Sequence, residues 1–232
     1  MSDRTGKLDG MAAVLEVKGV IFDFDYTLAD SSDGVIECAN YALGRLGFPA
    51  APDDAIRRTI GLSLPHSLPA LVGDEHAELG DEYMRVFQEK AFKIMPDATL
   101  VYEFVPSLVD TLLDRGINIG IVSSGRRRRI NAVLQRYGLD GRFGVIVGSE
   151  DVETMKPDPT GLRRAVDALS TPIESCLYVG DSVTDAETAR RAGVPFVAVL
   201  SGVTEREAFA EYAPAMVLGS AGKLPGALGL ED

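Results

Sequence analysis

VKGVIFDFDYT, residues 17–27, is the stretch on which the reading of this chain turns. Its first eight residues are a short apolar, β-branched run, the pattern of a buried strand. The run ends abruptly in acids, Asp23 and Asp25, with Thr27 and Asp30 close behind. Two such carboxylates repel by roughly 4 kcal/mol at about 4 Å and an effective dielectric near 20. A proton or a cation between them removes that cost.

The chain downstream changes style twice. Over residues 31–95 the apolar positions fall at helical spacing, with Val35, Ile36, Ala39, Ala42, Leu43 and Leu46 marking a first helix. Residues 52–59, 62–71 and 78–94 predict further helices, Pro52 and the acids after it suiting a first turn. No strand pattern interrupts this block. After Pro96 helix and strand alternate. Helices are predicted over 104–115, 126–137, 160–169 and 184–192, three of them ended by Gly116, Gly138 and Gly193. Strands are predicted over 117–122, 143–147, 175–179 and 195–200, with a weak last one over 215–218. Such alternation with short turns gives right-handed crossovers and a parallel sheet. Sites in these sheets lie beyond the carboxyl ends of the strands.

Four clusters stand at those ends: Asp23 to Thr27, Ser123-Ser124-Gly125, Lys156 before Pro157, and Gly180-Asp181-Ser182-Val183-Thr184-Asp185. Singly each is unremarkable, since Asp pairs form turns and caps and Ser-Ser-Gly makes a loop. Together they describe one chemistry. Carboxylates without His or Cys suit Mg²⁺ better than zinc. One Lys, two hydroxyls and the N–H groups of a helix start can hold an anion. Acids around a metal, with one Lys and an N–H cradle, make a phosphoryl site.

Composition narrows the partners. Against 23 Lys and Arg stand 35 Asp and Glu, a formal charge of −12, which argues against a protein that grips nucleic acid or anionic membrane. A small anion remains accessible, because a bound cation reverses the local sign. The 232 residues and 46% apolar content suit one or two globular domains. The only cysteines, Cys38 and Cys176, form no disulfide framework and predict two buried, reduced thiols. No apolar run reaches the roughly 18 residues of a membrane span. Residues 1–10 are polar and lack a signal-peptide core. The expectation is a soluble cytoplasmic protein with a flexible leader over residues 1–16.

The order D-x-D-x-T, Ser, Lys-Pro, G-D-S-x-x-D resembles the haloacid dehalogenase-like hydrolase superfamily. It is carried by Asp23, Asp25 and Thr27, then Ser123, Lys156, Asp181 and Asp185. The strings IGLSLPHSL (60–68), KPDP (156–159) and GDSVTDAETARRAG (180–193) are similar to the phosphoglycolate phosphatase and phosphatase/phosphomutase-like subgroup. The resemblance implies an α/β fold with a Rossmann-like parallel core over 17–29 and 104–232. An α-helical cap is inserted at 30–103, since the 33 positions from Ser123 to Lys156 leave little room for the other cap type.

By the same resemblance, Asp23, Asp25 and Lys156 are catalytic. Asp23 is the nucleophile and Asp25 the general acid, then base. Mg²⁺ is held by Asp23, the backbone carbonyl of Asp25, and Asp181. Asp185 orients a metal-bound water or pairs with Lys156. Ser123, Ser124 and Lys156 hold the transferring oxygens, and Thr27, counted with the substrate-binding residues, orders the loop around Asp25. Arg58 and Gly61 belong to a cap loop that contacts substrate in relatives. The implied enzyme hydrolyses a small phosphorylated metabolite, phosphoglycolate-like or a sugar phosphate, as a monomer or homodimer. A sugar phosphomutase and a non-catalytic binding module are the alternatives. Mutases often carry Glu where Gly180 stands, and an intact acid set disfavours a mere binding module. A dehalogenase would lack Asp25. Tyr26 departs from the family, which often has Gly there; its ring contacts substrate or packs on the cap hinge. The run Arg126–Arg129 reads as a solvated face paired to acids, with Arg126 the one nearest the site. His66 and His76 read as structural or surface residues.

Overall fold

A computed structural model describes residues 16–230, so the leader expected over 1–16 lies, Glu16 apart, outside the described residues. The chain begins with β1 (Gly19–Phe22) and β2 (Ala29–Asp30). Four helices follow: α1 (Ser32–Arg45), α2 (Asp53–Arg57), α3 (Leu64–Val72) and α4 (Gly80–Ala98). After β3 (Leu100–Val101) come α5 (Val105–Asp114), β4 (Asn118–Val122), α6 (Arg127–Arg136) and β5 (Val145–Val147). Then come α7 (Thr160–Ala168), β6 (Cys176–Gly180), α8 (Val183–Ala192), β7 (Phe196–Val199), β8 (Met216–Leu218) and α9 (Leu224–Ala227).

β1 is the centre of a six-stranded sheet of order β5-β4-β1-β6-β7-β8, parallel throughout. All four of its residues are buried, as they must be in a strand covered on both faces. Alternate residues face opposite ways. Val20, Phe22, Leu177 and Val179 point into one core with α5 and α6. Ile21, Tyr178, Phe196 and Ala198 point into the other with α7 and α8. The parallel α/β core expected from the alternation is therefore present, with element ends shifted by one or two residues.

The helices α1 to α4 bury a third cluster of their own, around Leu43, Ile56, Leu68, Tyr83 and Phe87. They leave and rejoin the sheet layer through β2 and β3, which pair antiparallel as a two-residue ribbon, Ala29 opposite Val101 and Asp30 opposite Leu100. Two residues are too few for an alternation signal, so the sequence pattern does not announce this ribbon. Asp30 also starts α1, its Oδ1 accepting from the Ser32 N–H at 2.9 Å.

Tyr26, just before this ribbon, has φ 61°. A side chain in that left-handed region costs on the order of 1–2 kcal/mol, which is the physical sense of a Gly preference there. Its backbone is pinned on both sides: its N–H donates to Ala29 O at 2.7 Å and its carbonyl accepts from Ser201 Oγ at 2.5 Å. The ring is buried and its hydroxyl meets Arg57 of α2. Tyr26 thus packs at the base of the helical layer and does not line the cavity described below.

Among the described residues no helix is long and apolar enough to cross a membrane. Both cysteines are buried and free. Burial pushes the Cys38 thiol up to about 12 and the Cys176 thiol up to about 11. Neither forms the reactive thiolate near neutral pH. Native protein at pH 8 should therefore leave a thiol reagent unconsumed, and two equivalents should react in guanidinium chloride. Rapid labelling of either cysteine in the native state would contradict this packing.

Candidate active site

The site is assembled where β1, β4 and β6 run out. Asp23 continues β1, its N–H still donating to Val179 O at 2.8 Å. Ser123 follows β4, its N–H bonded to Val147 O at 3.0 Å. Asp181 follows β6, and Asp185 sits in the first turn of α8. Ser182 caps that helix, its Oγ accepting from the Asp185 N–H at 3.1 Å while Asp185 Oδ2 accepts from the Ser182 N–H at 3.2 Å.

Lys156 arrives from the loop before α7 and ties these ends together. Its Nζ donates to Asp185 Oδ1 at 2.6 Å and to Asp23 Oδ1 at 2.7 Å. It lies 3.2 Å from the Tyr178 hydroxyl, which itself donates to Asp185 Oδ1 at 2.8 Å. The side chains of Lys156, Asp23 and Asp185 are only 5%, 6% and 1% exposed. Of the two roles open to Asp185, pairing with Lys156 is the one the geometry displays. Its second oxygen is taken by Ser182, whose Oγ donates at 2.5 Å.

The charges do not balance. Asp23, Asp181 and Asp185 bring ligand atoms within 4.8 Å of one another, against the single ammonium of Lys156. Burial, reinforced by Asp185 and Asp25 and only partly offset by Lys156, pushes Asp23 up to about 7. Burial, then the charges of Asp185 and Asp23, lift Asp181 well above the carboxylate range despite Lys156. For Lys156 itself burial works downward, but Asp185 and Asp23 outweigh it and hold the ammonium protonated. An all-oxygen donor set with two uncompensated negative charges fits a hard divalent cation.

Asp25 is arranged differently. Its Oδ2 accepts from Arg129 Nη2 at 2.5 Å, in a pair whose side chains are 15% and 14% exposed. Its Oδ1 is buried and accepts no hydrogen bond. The Asp25 carboxylate therefore turns to α6, away from the cluster of the other three acids.

Above Asp23 and Asp25 a cavity of about 480 Å³ opens beneath the helical layer. Ser123, Ser124 and Gly61 line it, as do Arg126, Arg128 and Arg129. Ser124 Oγ donates to Gly61 O at 3.3 Å, a direct tie from sheet to helical layer. Ser123 Oγ accepts from the Gly125 N–H at 3.0 Å.

Two expected substrate contacts sit elsewhere. Thr27 is fully buried and donates to Asp181 Oδ1 at 3.1 Å, so it supports a carboxylate and does not reach the cavity. Arg58 ends α2 with its side chain exposed and is not among the lining residues, whereas its neighbours Thr59, Ile60 and Gly61 are. His66 bonds Ser63 and His76 packs on Phe48, neither in the cavity.

Three contributors escaped the sequence reading. Tyr178 lies inside CLYVG, where a ring reads as core. Arg129 is the last of four arginines, and its place one turn beyond Arg126 was the available clue. Gly202 follows β7 and faces Asp181 so closely that a Cβ there would overlap Asp181 Oδ2; nothing local announces it.

Known proteins are similar to this chain over most of its length. Two relatives named phosphoglycolate phosphatase are similar to it. That of Pseudomonas savastanoi pv. phaseolicola is 31% identical over 225 residues, covering 92% of this chain and 81% of its own. That of Yersinia pestis is 30% identical over 218 residues, covering 92% and 94%. A solved haloacid dehalogenase-like hydrolase of Bacteroides fragilis superposes with a TM-score of 0.86 at 38% identity, over 90% of this chain and 99% of its own. The pattern that defines the family spans residues 20–199, from β1 to the end of β7, and so takes in every strand end that builds the site. The chain belongs to the haloacid dehalogenase-like hydrolases.

Proposed function

We propose that the protein is a Mg²⁺-dependent phosphatase that hydrolyses a small-molecule phosphomonoester through an aspartyl-phosphate on Asp23. The observation that carries this reading is the excess of negative charge at the strand ends. Three buried carboxylates share one ammonium, an arrangement that a divalent cation completes. Asp23, the backbone carbonyl of Asp25, and Asp181 would hold Mg²⁺. When bound, Mg²⁺ neutralises charge so that a carboxylate can approach a phosphate dianion.

The chain's own groups supply the rest. An Asp23 oxygen attacks phosphorus, and the ester P–O bond breaks as the alcohol leaves. Asp25 gives that alcohol its proton through Oδ1, the oxygen that Arg129 leaves free. Water then attacks phosphorus, Asp25 takes its proton, and the aspartyl P–O bond breaks to release inorganic phosphate. Ser123, Ser124 and Lys156 hold the transferring oxygens. Lys156 also keeps Asp23 in place, and Thr27 with Gly202 fixes Asp181. The helices between β2 and β3 act as a cap, and two free buried thiols suit a cytoplasmic enzyme.

Phosphoglycolate, from the names of the relatives, and sugar phosphates are the first substrates to consider. The mutase alternative loses ground at Gly180. A Cβ there would sit 2.6 Å from Asp185 Cβ, so the Glu that mutases often carry would collide with the first turn of α8.

Asp23→Asn should lower Mg²⁺-dependent phosphate release by roughly three orders of magnitude or more, with the melting temperature little changed. Release at the wild-type rate would sink the nucleophile assignment. Conversion of a sugar 1-phosphate to its 6-phosphate without free phosphate would replace hydrolysis by the mutase reaction. Gly202→Ala should drive Asp181 off Thr27 and raise the Mg²⁺ concentration for half-maximal thermal stabilisation by about 10-fold or more. An unchanged Mg²⁺ titration would place the metal away from Asp181.

A further inference from the structure

The cavity is far larger than a phosphate and two carbons require. Its volume of about 480 Å³ equals that of roughly 16 water molecules at about 30 Å³ each. Its walls change character with distance from Asp23. Near the strand ends they are carboxylates and hydroxyls. Under the helical layer they are Leu62, Tyr83, Phe87, Ala91, Phe92 and Met95, five of these from α4.

Two of these side chains stay in water at the mouth, Leu62 at 38% and Phe92 at 64% exposure. Large apolar groups left exposed beside a concave site mark a ligand surface. The Arg128 guanidinium lies over the Phe92 ring, 4.7 Å from its centre, and extends that flat wall. The cationic side of the cavity is already engaged. Arg126 donates to Gln88, Arg128 covers Phe92 and Arg129 holds Asp25. A second carboxylate on a short substrate would have to displace one of these pairings.

We propose that the ester's leaving alcohol is bulky and largely apolar, an extended alkyl or aromatic alcohol lying along α4, and not a two-carbon hydroxy acid. The chemistry rests on the phosphatase reading above, whereas the ligand class rests on the cavity.

Two measurements separate them. Binding of n-alkyl phosphates from methyl to hexyl, and of phenyl phosphate, to the Asp23→Asn protein with Mg²⁺ is followed by calorimetry. Phosphate release from the same esters and from phosphoglycolate is followed with the wild type. The expected Kd falls about fourfold per added methylene, and kcat/KM for hexyl or phenyl phosphate exceeds that for phosphoglycolate at least tenfold. Phe92→Ala, an exposed change that leaves the core intact, should flatten the long end of the series. Ala91→Phe, which fills the roof, should flatten it earlier. Phosphate release with a flat series, or with phosphoglycolate preferred, overturns the ligand class and keeps hydrolysis. Graded binding without release keeps the ligand class and overturns hydrolysis. Neither graded binding nor release overturns both.

Discussion

One buried ammonium holds this molecule's working end together. Lys156 reaches Asp23 beyond β1, Asp185 in the first turn of α8 and Tyr178 within β6. Two of these elements are strands and one is a helix on the Tyr178 face of the sheet, and the loop that carries Lys156 is tied to them through its side chain. Removing one member of such a buried pair typically costs about 3–5 kcal/mol, because the partner is left charged and dry. Asp185 doubles as the capping-box residue of α8. The same carboxylate therefore sets where the helix starts and where the ammonium sits. Asp181, between β6 and that cap, is oriented separately, by Thr27 and the close approach of Gly202. A clasp with one cation among three acids is also incomplete, and the incompleteness makes room for a metal.

Charge is distributed with the same economy across the cavity. Residues 30–103 hold 6 basic and 13 acidic residues, and the arginines of α6 face them. Arg136 donates to Pro96 O at 2.5 Å and to Thr99 O at 2.7 Å at the foot of α4. A run of arginines at a helix start opposes the dipole. Glu150 answers this by accepting from the N–H groups of Arg127 and Arg128 at 2.9 and 3.2 Å. Arg126, Arg127 and Arg128 stay exposed, and Arg126 and Arg128 also touch Gln88 and Phe92 of the helical layer. Only Arg127, paired with Asp151 at 2.9 Å, fits the reading of an exposed face paired to acids.

What could be read from the sequence follows from how local each signal is. β1 is legible because four consecutive buried residues end in acids, and the sheet because helix and strand alternate at short intervals. Asp23, Ser123, Lys156 and Asp181 are legible because a parallel sheet must gather its strand ends on one rim. Thr27 and Arg58 are assigned to the substrate by resemblance, which brings a residue to the neighbourhood of a site but does not aim its side chain. Tyr178 and Gly202 were invisible for a deeper reason. Each acts through a partner in another element, Asp185 across a helix start and Asp181 across a strand, and neither leaves a periodicity behind.

The ribbon of β2 and β3 has a mechanical consequence. The helical layer joins the sheet layer by two chain crossings, and these are laced to each other, residue for residue. Two independent tethers would permit sliding and twisting. Two that share one ladder hold the entry and the exit of the helical layer at one fixed separation beside β1. The Ser124–Gly61 bond on the cavity wall adds a second tie, made by side chain to backbone and not by a ladder.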